Sequence, residues 1–101
     1  MIKKLQDKIK VLSANCRGLK DKFKRYDVLN YIQKTEANII CLQDTHLTEL
    51  DSLEVKTQWD GDFILHGIVN NARGVAIFFR KNFEYEMTDH ETDKEGNLLI
   101  V

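Results

Sequence analysis

The order of apolar and polar residues predicts a strand, a helix and a second strand in the first half of the chain. Residues 8–15 alternate at first and then become apolar, which is typical of a strand. Apolar residues then recur at the spacing of one helix face, so we predict a helix that begins near Asp21 or Arg25 and ends near Thr35. A second strand is predicted over residues 38–43. This order forms a βαβ unit, which makes the two strands parallel.

The second strand of that unit carries the most informative stretch of the sequence. Four consecutive apolar residues, 39–42, predict a strand that is buried on both faces. The residues that follow are Gln43, Asp44, Thr45 and His46, so a polar cluster lies at the carboxyl end of this strand. In open α/β sheets, ligands and catalytic groups collect at that edge.

The second half of the chain predicts a short helix and a series of antiparallel strands. Thr48 is a candidate helix cap with Asp51 as its capping-box partner, and the helix would run toward Gln58. Strands are predicted over residues 63–67 and 75–79, and again over 98–101 after a hairpin turn at 93–97. Residues 84–92 alternate only weakly. The class is therefore mixed α/β or α+β.

Composition and charge limit the function classes. The chain has 101 residues, of which 43% are hydrophobic and 31% charged, as in an ordinary globular domain. Residues 1–35 hold ten Lys and Arg against three Asp and Glu, whereas residues 36–101 hold five against thirteen. Such a split either marks a half that faces a polyanion or is an accident of surface composition.

The lack of a recognisable targeting segment and the small number of cysteines favour a reducing compartment. No apolar run reaches the length of a membrane span, and no long apolar segment marks a signal peptide. The two cysteines, Cys16 and Cys41, are too few for a disulfide framework and lack metal-ligand spacing. We therefore expect a cytoplasmic or nuclear protein that is neither secreted nor bound to a membrane.

Polar residues at the ends of the two parallel strands are the candidates for chemistry. Asn15 and Asp44 end neighbouring strands, and a carboxylate with an amide oxygen suits Mg²⁺ that keeps several waters. The alternative is that both residues are turn formers that bond their own backbone. His46 adds a candidate acid, base or phosphate contact, or is simply a loop residue. Thr45 and Thr48 could donate to phosphate, although capping also explains Thr48.

Three segments in order resemble motifs of one superfamily. They are Asn-Cys-Arg-Gly-Leu at 15–19, Gln-Asp-Thr-His-Leu at 43–47 and Arg-Gly-Val-Ala-Ile at 73–77. Together they resemble the endonuclease/exonuclease/phosphatase superfamily, which includes apurinic/apyrimidinic endonucleases and DNase I. The closest likeness is to the endonuclease domains of LINE-type non-LTR retrotransposons. The hairpin segment 93–97 is also similar to that group.

The resemblance implies a fold and a reaction. It implies a four-layer α/β sandwich of the DNase I-like type, of which residues 1–101 would be the amino-terminal part, a mixed sheet with flanking helices. It also implies Mg²⁺-dependent phosphodiester hydrolysis, with Mn²⁺ as an alternative ion, in a DNA-nicking enzyme that shares a polyprotein with a reverse transcriptase. By resemblance, Asn15 and Asp44 are catalytic and metal-binding, and Arg17, Thr45 and His46 lie against nucleic acid.

Two departures from the family pattern define what we expect of this chain. Asp44 stands where the family has Glu, so its carboxylate is one methylene shorter. The family's later Asp and His motifs do not occur here, so we expect the isolated chain to be inactive. The alternatives are a non-catalytic module that binds nucleic acid through the basic segment 17–25, and a small α/β domain that binds a protein partner.

Overall fold

A mixed four-stranded sheet forms the centre of the fold. The computed structural model describes residues 9–68 and 73–83, together with the backbone of 91–92 and 99–100. In chain order the elements are β1 (Val11–Asn15), α1 (Lys22–Thr35), β2 (Ile39–Gln43), a 3-10 turn (Glu49–Asp51), α2 (Ser52–Lys56), β3 (Phe63–His66), β4 (Val75–Phe79), β5 (Glu91–Thr92) and β6 (Leu99–Ile100).

The strand order in the sheet is β1-β2-β4-β3. β1 and β2 are parallel, with Val11 opposite Ile39 and Asn15 opposite Gln43. β4 pairs antiparallel with both β2 and β3. The predicted βαβ unit and its parallel strands are thus confirmed, and the sheet is of the mixed type. β5 and β6 form a separate antiparallel pair.

The helix α1 begins where its polar cap allows. The side chain of Asp21 accepts a hydrogen bond from the backbone N–H of Phe23, which satisfies one of the unpaired donors of the first turn. The helix ends at Thr35 because Glu36 adopts a left-handed conformation with φ 63°. Of the two predicted starting points, the one near Asp21 is the observed one. The first strand begins at Val11, three residues after the predicted start.

One face of the sheet carries the core, because α1 and α2 both pack on that side. The buried apolar side chains of this core are Leu19, Leu29, Ile32, Ala37, Ile40, Leu42, Leu47, Val55, Trp59, Leu65, Ala76 and Phe78. The Trp59 ring packs edge-on against Phe78, with centroids 5.4 Å apart. Its indole N–H donates to the carbonyl of Phe79 at 3.0 Å, which satisfies the polar end of a buried ring.

The prediction that β2 is buried on both faces is wrong for one of them. Ile40 and Leu42 lie fully buried under the helices, but Ile39 and Cys41 on the opposite face are only half-buried. Val11, which pairs with Ile39 on that face, is 58% exposed. The physical reason is that α1 and α2 cover a single face, so the described elements leave the other partly open to solvent.

The predicted capping box at Thr48 is confirmed. The Thr48 hydroxyl accepts from the N–H of Leu50 at 3.1 Å, and the Asp51 carboxylate accepts from the N–H of Thr48 at 2.8 Å. Lys20 donates to the same carboxylate at 3.0 Å. Burial alone would raise the pKa of Asp51, but these two contacts hold that pKa below its ordinary value.

Replacing Asp51 with asparagine should therefore lower stability by about 1 kcal/mol at neutral pH. A carboxyl whose pKa is lowered by folding stabilises the native state above its unfolded pKa and loses that contribution as pH falls through the folded pKa. Urea unfolding at several pH values tests this. The wild type and the variant should converge as the pH falls below about 4. The exposed Glu49, changed to glutamine, is the matched control, and a gap that persists at low pH would contradict the assignment.

The hairpin turn predicted at 93–97 lies outside the described residues, as does most of segment 84–92. The antiparallel pairing of Thr92 with Leu99 is described, and the predicted strand over 98–101 appears as β6. Within the described part of the chain, no helix combines the length and the apolar character that a membrane crossing needs.

Candidate functional site

The loops after β1 and β2 are joined by a short ladder of backbone hydrogen bonds. The N–H groups of Cys16, Gly18 and Leu19 donate to the carbonyls of residues 43, 44 and 45 at 2.8, 2.7 and 2.7 Å. The parallel pairing therefore continues past the ends of both strands. It holds the segment after Asn15 directly against the segment after Gln43, as the βαβ prediction requires.

Asn15 ends β1 and is exposed. Its side-chain oxygen accepts a hydrogen bond from the backbone N–H of Arg17 at 3.2 Å. The prediction that Asn15 forms a turn by bonding its own backbone is therefore confirmed. A side-chain carbonyl has two lone pairs, and the turn uses one of them. The second is free to accept from water or to ligate a cation.

Asp44 and His46 form a pair at the tip of the β2 loop. Both backbones are left-handed, with φ 59° and 64°, a conformation that Asp and His tolerate better than most residues. It brings His46 Nε2 within 3.2 Å of Asp44 Oδ1. Both side chains remain partly exposed. The imidazole therefore orients the carboxylate on which the predicted metal site depends.

Gly18 leaves the space that the His46 ring occupies. A Cβ atom at Gly18 would stand 2.8 Å from Nδ1 of that ring, and the φ of Gly18 is 94°. Any other residue here would be strained and would push the imidazole away from Asp44. From the sequence, this glycine was identified only as part of the motif at 15–19, because its contact with His46 is 28 residues distant in the chain.

Thr45 is completely buried between β2 and the start of β4. Its hydroxyl accepts from the N–H of Leu47 at 3.1 Å, and its own N–H donates to the carbonyl of Gly74 at 3.0 Å. His46 is fixed likewise, because its N–H donates to the carbonyl of Arg73 at 3.0 Å. Thr45 thus has a structural task in this structure, and its contact with nucleic acid stays a prediction.

The basic segment 17–25 divides into exposed and buried cations, which corrects its interpretation as one uniform binding loop. Arg17 is exposed, and Lys24 Nζ donates to the carbonyls of Cys16 and Arg17 at 3.0 and 3.2 Å. Arg25, by contrast, is 1% exposed. It donates to the carbonyl of Leu19 and is therefore removed from any ligand surface.

The pKa of the Cys16 thiol is affected by charged residues at this edge. Burial raises the pKa of its thiol, the nearby Lys24 ammonium opposes that change, and the Asp44 carboxylate adds to it. The thiol is therefore neutral at physiological pH and is a poor nucleophile. A cation and an anion both lie close enough to Cys16 to affect its titration, so the edge carries charges of both signs.

The donors at this edge fit a hard cation that keeps most of its waters. The Asp44 carboxylate and the Asn15 amide oxygen are the oxygen types that Mg²⁺ and Mn²⁺ prefer. Mg²⁺ is commonly held by one or two carboxylates, with substrate phosphates completing its shell. Among the described residues, no group of three or more His, Cys, Asp or Glu side chains forms a closed cage.

The sequence is similar to that of a curated nuclease. An exodeoxyribonuclease of Bacillus subtilis (strain 168) is 26% identical over 100 residues, which cover 92% of this chain. Over most of its length, this chain is similar to a nuclease. No protein-family model matches the sequence, so the similarity does not assign the chain to a particular nuclease family. The matched region spans 38% of the length of the Bacillus protein.

Proposed function

We propose that this chain is the metal-binding part of an enzyme that hydrolyses phosphodiester bonds in DNA. The observation that carries the proposal is the hydrogen-bonded pair of loops after β1 and β2. They bring Asn15, Asp44 and His46 to one edge of a parallel strand pair. The similarity to an exodeoxyribonuclease supports the same reaction class.

Each residue at the edge then has a definite task. Asp44 and Asn15 would hold Mg²⁺, which when bound supplies a Lewis acid for a phosphoryl oxygen. His46 would keep the Asp44 carboxylate oriented through the 3.2 Å contact and would lie against the bound strand. The exposed Arg17 guanidinium would pair with a neighbouring backbone phosphate, because its planar fork of donors matches the phosphate oxygens.

The site needs a group that activates water, and we propose that the described edge does not supply it. His46 is the nearest imidazole, and its Nε2 is engaged with Asp44. The chain spans 38% of the related exodeoxyribonuclease, so a base from outside these 101 residues is compatible with the comparison. The 101-residue chain alone is thus proposed to bind metal without turning over DNA.

The narrower proposal is a DNA-nicking endonuclease of the LINE retrotransposon type. It rests on the three ordered motifs at 15–19, 43–47 and 73–77, and it includes the DNase I-like sandwich with residues 1–101 as its amino-terminal part. A nuclear or cytoplasmic location and a reverse transcriptase in the same polyprotein belong to this proposal. Reading the coding frame beyond Val101 tests it, because a frame that ends without a reverse transcriptase would contradict the retrotransposon type.

Metal binding by the isolated chain tests the site directly. Mn²⁺ at substoichiometric levels should broaden the amide NMR signals of residues next to Asn15 and Asp44, because a bound paramagnet relaxes nearby nuclei. Asp44→Ala should weaken Mn²⁺ affinity by about 100-fold or more, since losing even an outer partner of a metal ligand costs about 10–100-fold.

Asp60→Asn is the matched control, because Asp60 is an exposed carboxylate that follows Trp59 at the opposite end of the sheet. It should leave the broadening unchanged. Broadening that centres on Asp60, or that survives Asp44→Ala, would contradict the metal site. Robust plasmid nicking by the 101-residue chain would contradict its proposed lack of a water-activating group.

A further inference from the structure

We propose that the outward face of α1 is a stacking platform for single-stranded nucleic acid, distinct from the metal edge. The platform consists of three exposed aromatic rings, Phe23, Tyr26 and Tyr31, which are 72%, 56% and 67% exposed. Side chains of this size are seldom left in water on one short helix without a partner. The proposal does not depend on hydrolysis, because stacking needs neither a metal nor a base.

The composition of this face separates it from an ordinary protein-docking helix. All fourteen residues of α1 are described, and its eight exposed positions hold only Lys, Phe, Tyr, Asp and Asn. No exposed position holds an aliphatic side chain, whereas a helix that docks in a protein groove presents a stripe of apolar anchors. Tyr26 and Tyr31 stand about 140° apart around the helix axis. The rings therefore form a broad face instead of a narrow stripe.

The charge around the rings favours a polyanion. Between residues 17 and 35 the exposed charged side chains are Arg17, Lys20, Lys22, Lys24 and Lys34 against Asp21 and Asp27. Lys22 and Lys24 flank Phe23 at the start of the helix, where the helix dipole adds partial positive charge. Rings interleaved with cations are the combination by which single strands are bound without sequence preference.

The arrangement of Lys22 and Phe23 leaves one ring face for a base. Lys22 Nζ lies 5.5 Å from the centroid of the Phe23 ring and covers one side of it. The opposite side remains open to solvent, in keeping with the exposure of the ring. A nucleobase on that side would gain stacking while its phosphate meets the neighbouring ammonium.

The position of the platform links it to the metal edge. Lys24 donates to the carbonyls of Cys16 and Arg17, so the start of α1 is held directly against the loop after β1. The rings from Phe23 to Tyr31 then extend about 12 Å along the helix, away from that loop. This length corresponds to about four stacked nucleotides. A single strand that leaves the edge would follow α1.

Fluorescence anisotropy with a labelled oligothymidine of about 16 nucleotides tests the platform in EDTA and low salt. The wild-type chain should bind, and Phe23→Leu should weaken binding about tenfold, because it keeps an apolar side chain but removes the stacking surface. Phe23→Trp should bind at least as tightly as the wild type. Its new indole emission should be quenched by the oligonucleotide, over a constant background from the buried Trp59.

Leu53→Ala is the matched control, because Leu53 on α2 is an apolar side chain with 82% exposure and lies outside the platform. It should leave oligothymidine affinity unchanged, and circular dichroism should show all variants folded. Equal binding by wild type and Phe23→Leu, or unquenched indole emission, would overturn the proposal. The proposal would also be overturned if the wild-type chain did not bind oligothymidine but self-associated, and if Phe23→Leu abolished that self-association. The outward face of α1 would then be a protein interface. The proposed metal site is tested separately by Mn²⁺ broadening at Asp44, so a failure of the platform leaves that test unaffected.

Discussion

Replacing Arg25 with leucine should destabilise the fold by about 3 kcal/mol, because two hydrogen bonds from a charged donor are lost, and this is a large share of the stability of a small domain. The side chain is 1% exposed. Its Nε donates to Gln58 Oε1 at 2.6 Å and its Nη1 to the Leu19 carbonyl at 3.0 Å. Nη2 lies 3.1 Å from Glu54 Oε1 as an ion pair, although it forms no hydrogen bond of good geometry.

Arg25 therefore joins α1 to the loop before it and to the segment after α2. Leucine leaves the buried Leu19 carbonyl without a partner, which costs more than the lost contact itself. Glu54 is half-exposed, so water can replace its side of the ion pair. Urea unfolding followed by circular dichroism measures the loss through the midpoint at constant slope.

Lys22→Leu provides the comparison for Arg25. It also replaces a cationic side chain with leucine, three residues away on the same helix but at an exposed position. We expect it to alter stability by less than about 0.5 kcal/mol. If both variants unfold at the same urea concentration, the claim that Arg25 stabilises the fold is wrong. Charge reversal of the segment 17–25 should accordingly be confined to Lys22 and Lys24 when nucleic-acid binding is tested.

Replacing Gly74 with alanine should lower stability by about 3 kcal/mol and weaken the metal binding that we propose at Asp44. The φ of Gly74 is 130°, a region that is almost reserved for glycine, where strain costs about 1–3 kcal/mol. A Cβ would also stand 2.8 Å from Thr45 Oγ1 and 3.0 Å from the Leu47 carbonyl. The β2 loop would have to move away from β4.

That movement is expected to reach Asp44, because Thr45 and His46 are tied to residues 73 and 74 by backbone hydrogen bonds. Urea unfolding gives the stability, and Mn²⁺ titration of the folded fraction gives the affinity. Asn82→Gly is the control for backbone strain, since Asn82 is exposed with φ 70° and glycine is compatible with that conformation. It should change stability by less than about 1 kcal/mol. Unchanged Mn²⁺ affinity in Gly74→Ala would contradict the claim that the contacts with β4 position Asp44.

The half-buried face of the sheet is a consequence of the same architecture. Val11, Ile39, Cys41 and Ile77 lie on it, opposite the face that the helices cover. The same face also carries the polar residues Ser13, Asn15 and Gln43, toward the carboxyl ends of β1 and β2. In the proposed DNase I-like sandwich this face would meet a second sheet, which accounts for its apolar character.

Local sequence patterns determined the elements of this protein, because period and capping act over a few residues. The alternation and apolar runs located β1 to β4, and Val75–Phe79 was predicted with both ends correct. The Thr48 and Asp51 capping box was predicted from a spacing of three residues. The parallel β1–β2 pair followed from the helix between them, and with it the position of Asn15 beside Gln43 at the carboxyl ends of both strands.

Only the tertiary structure decided what depends on contacts between distant parts of the chain. β4 lies between β2 and β3 although β3 precedes it, because backbone pairing partners leave no local signal in the sequence. Arg25 looks like its exposed basic neighbours until α2 and Leu19 close over it. Gly18 is only a motif position in the sequence, and the tertiary structure shows that the His46 ring fills the space beside it. The sequence thus specified which residues lie at the ends of β1 and β2, and packing across the sheet specified which contacts each of them makes there.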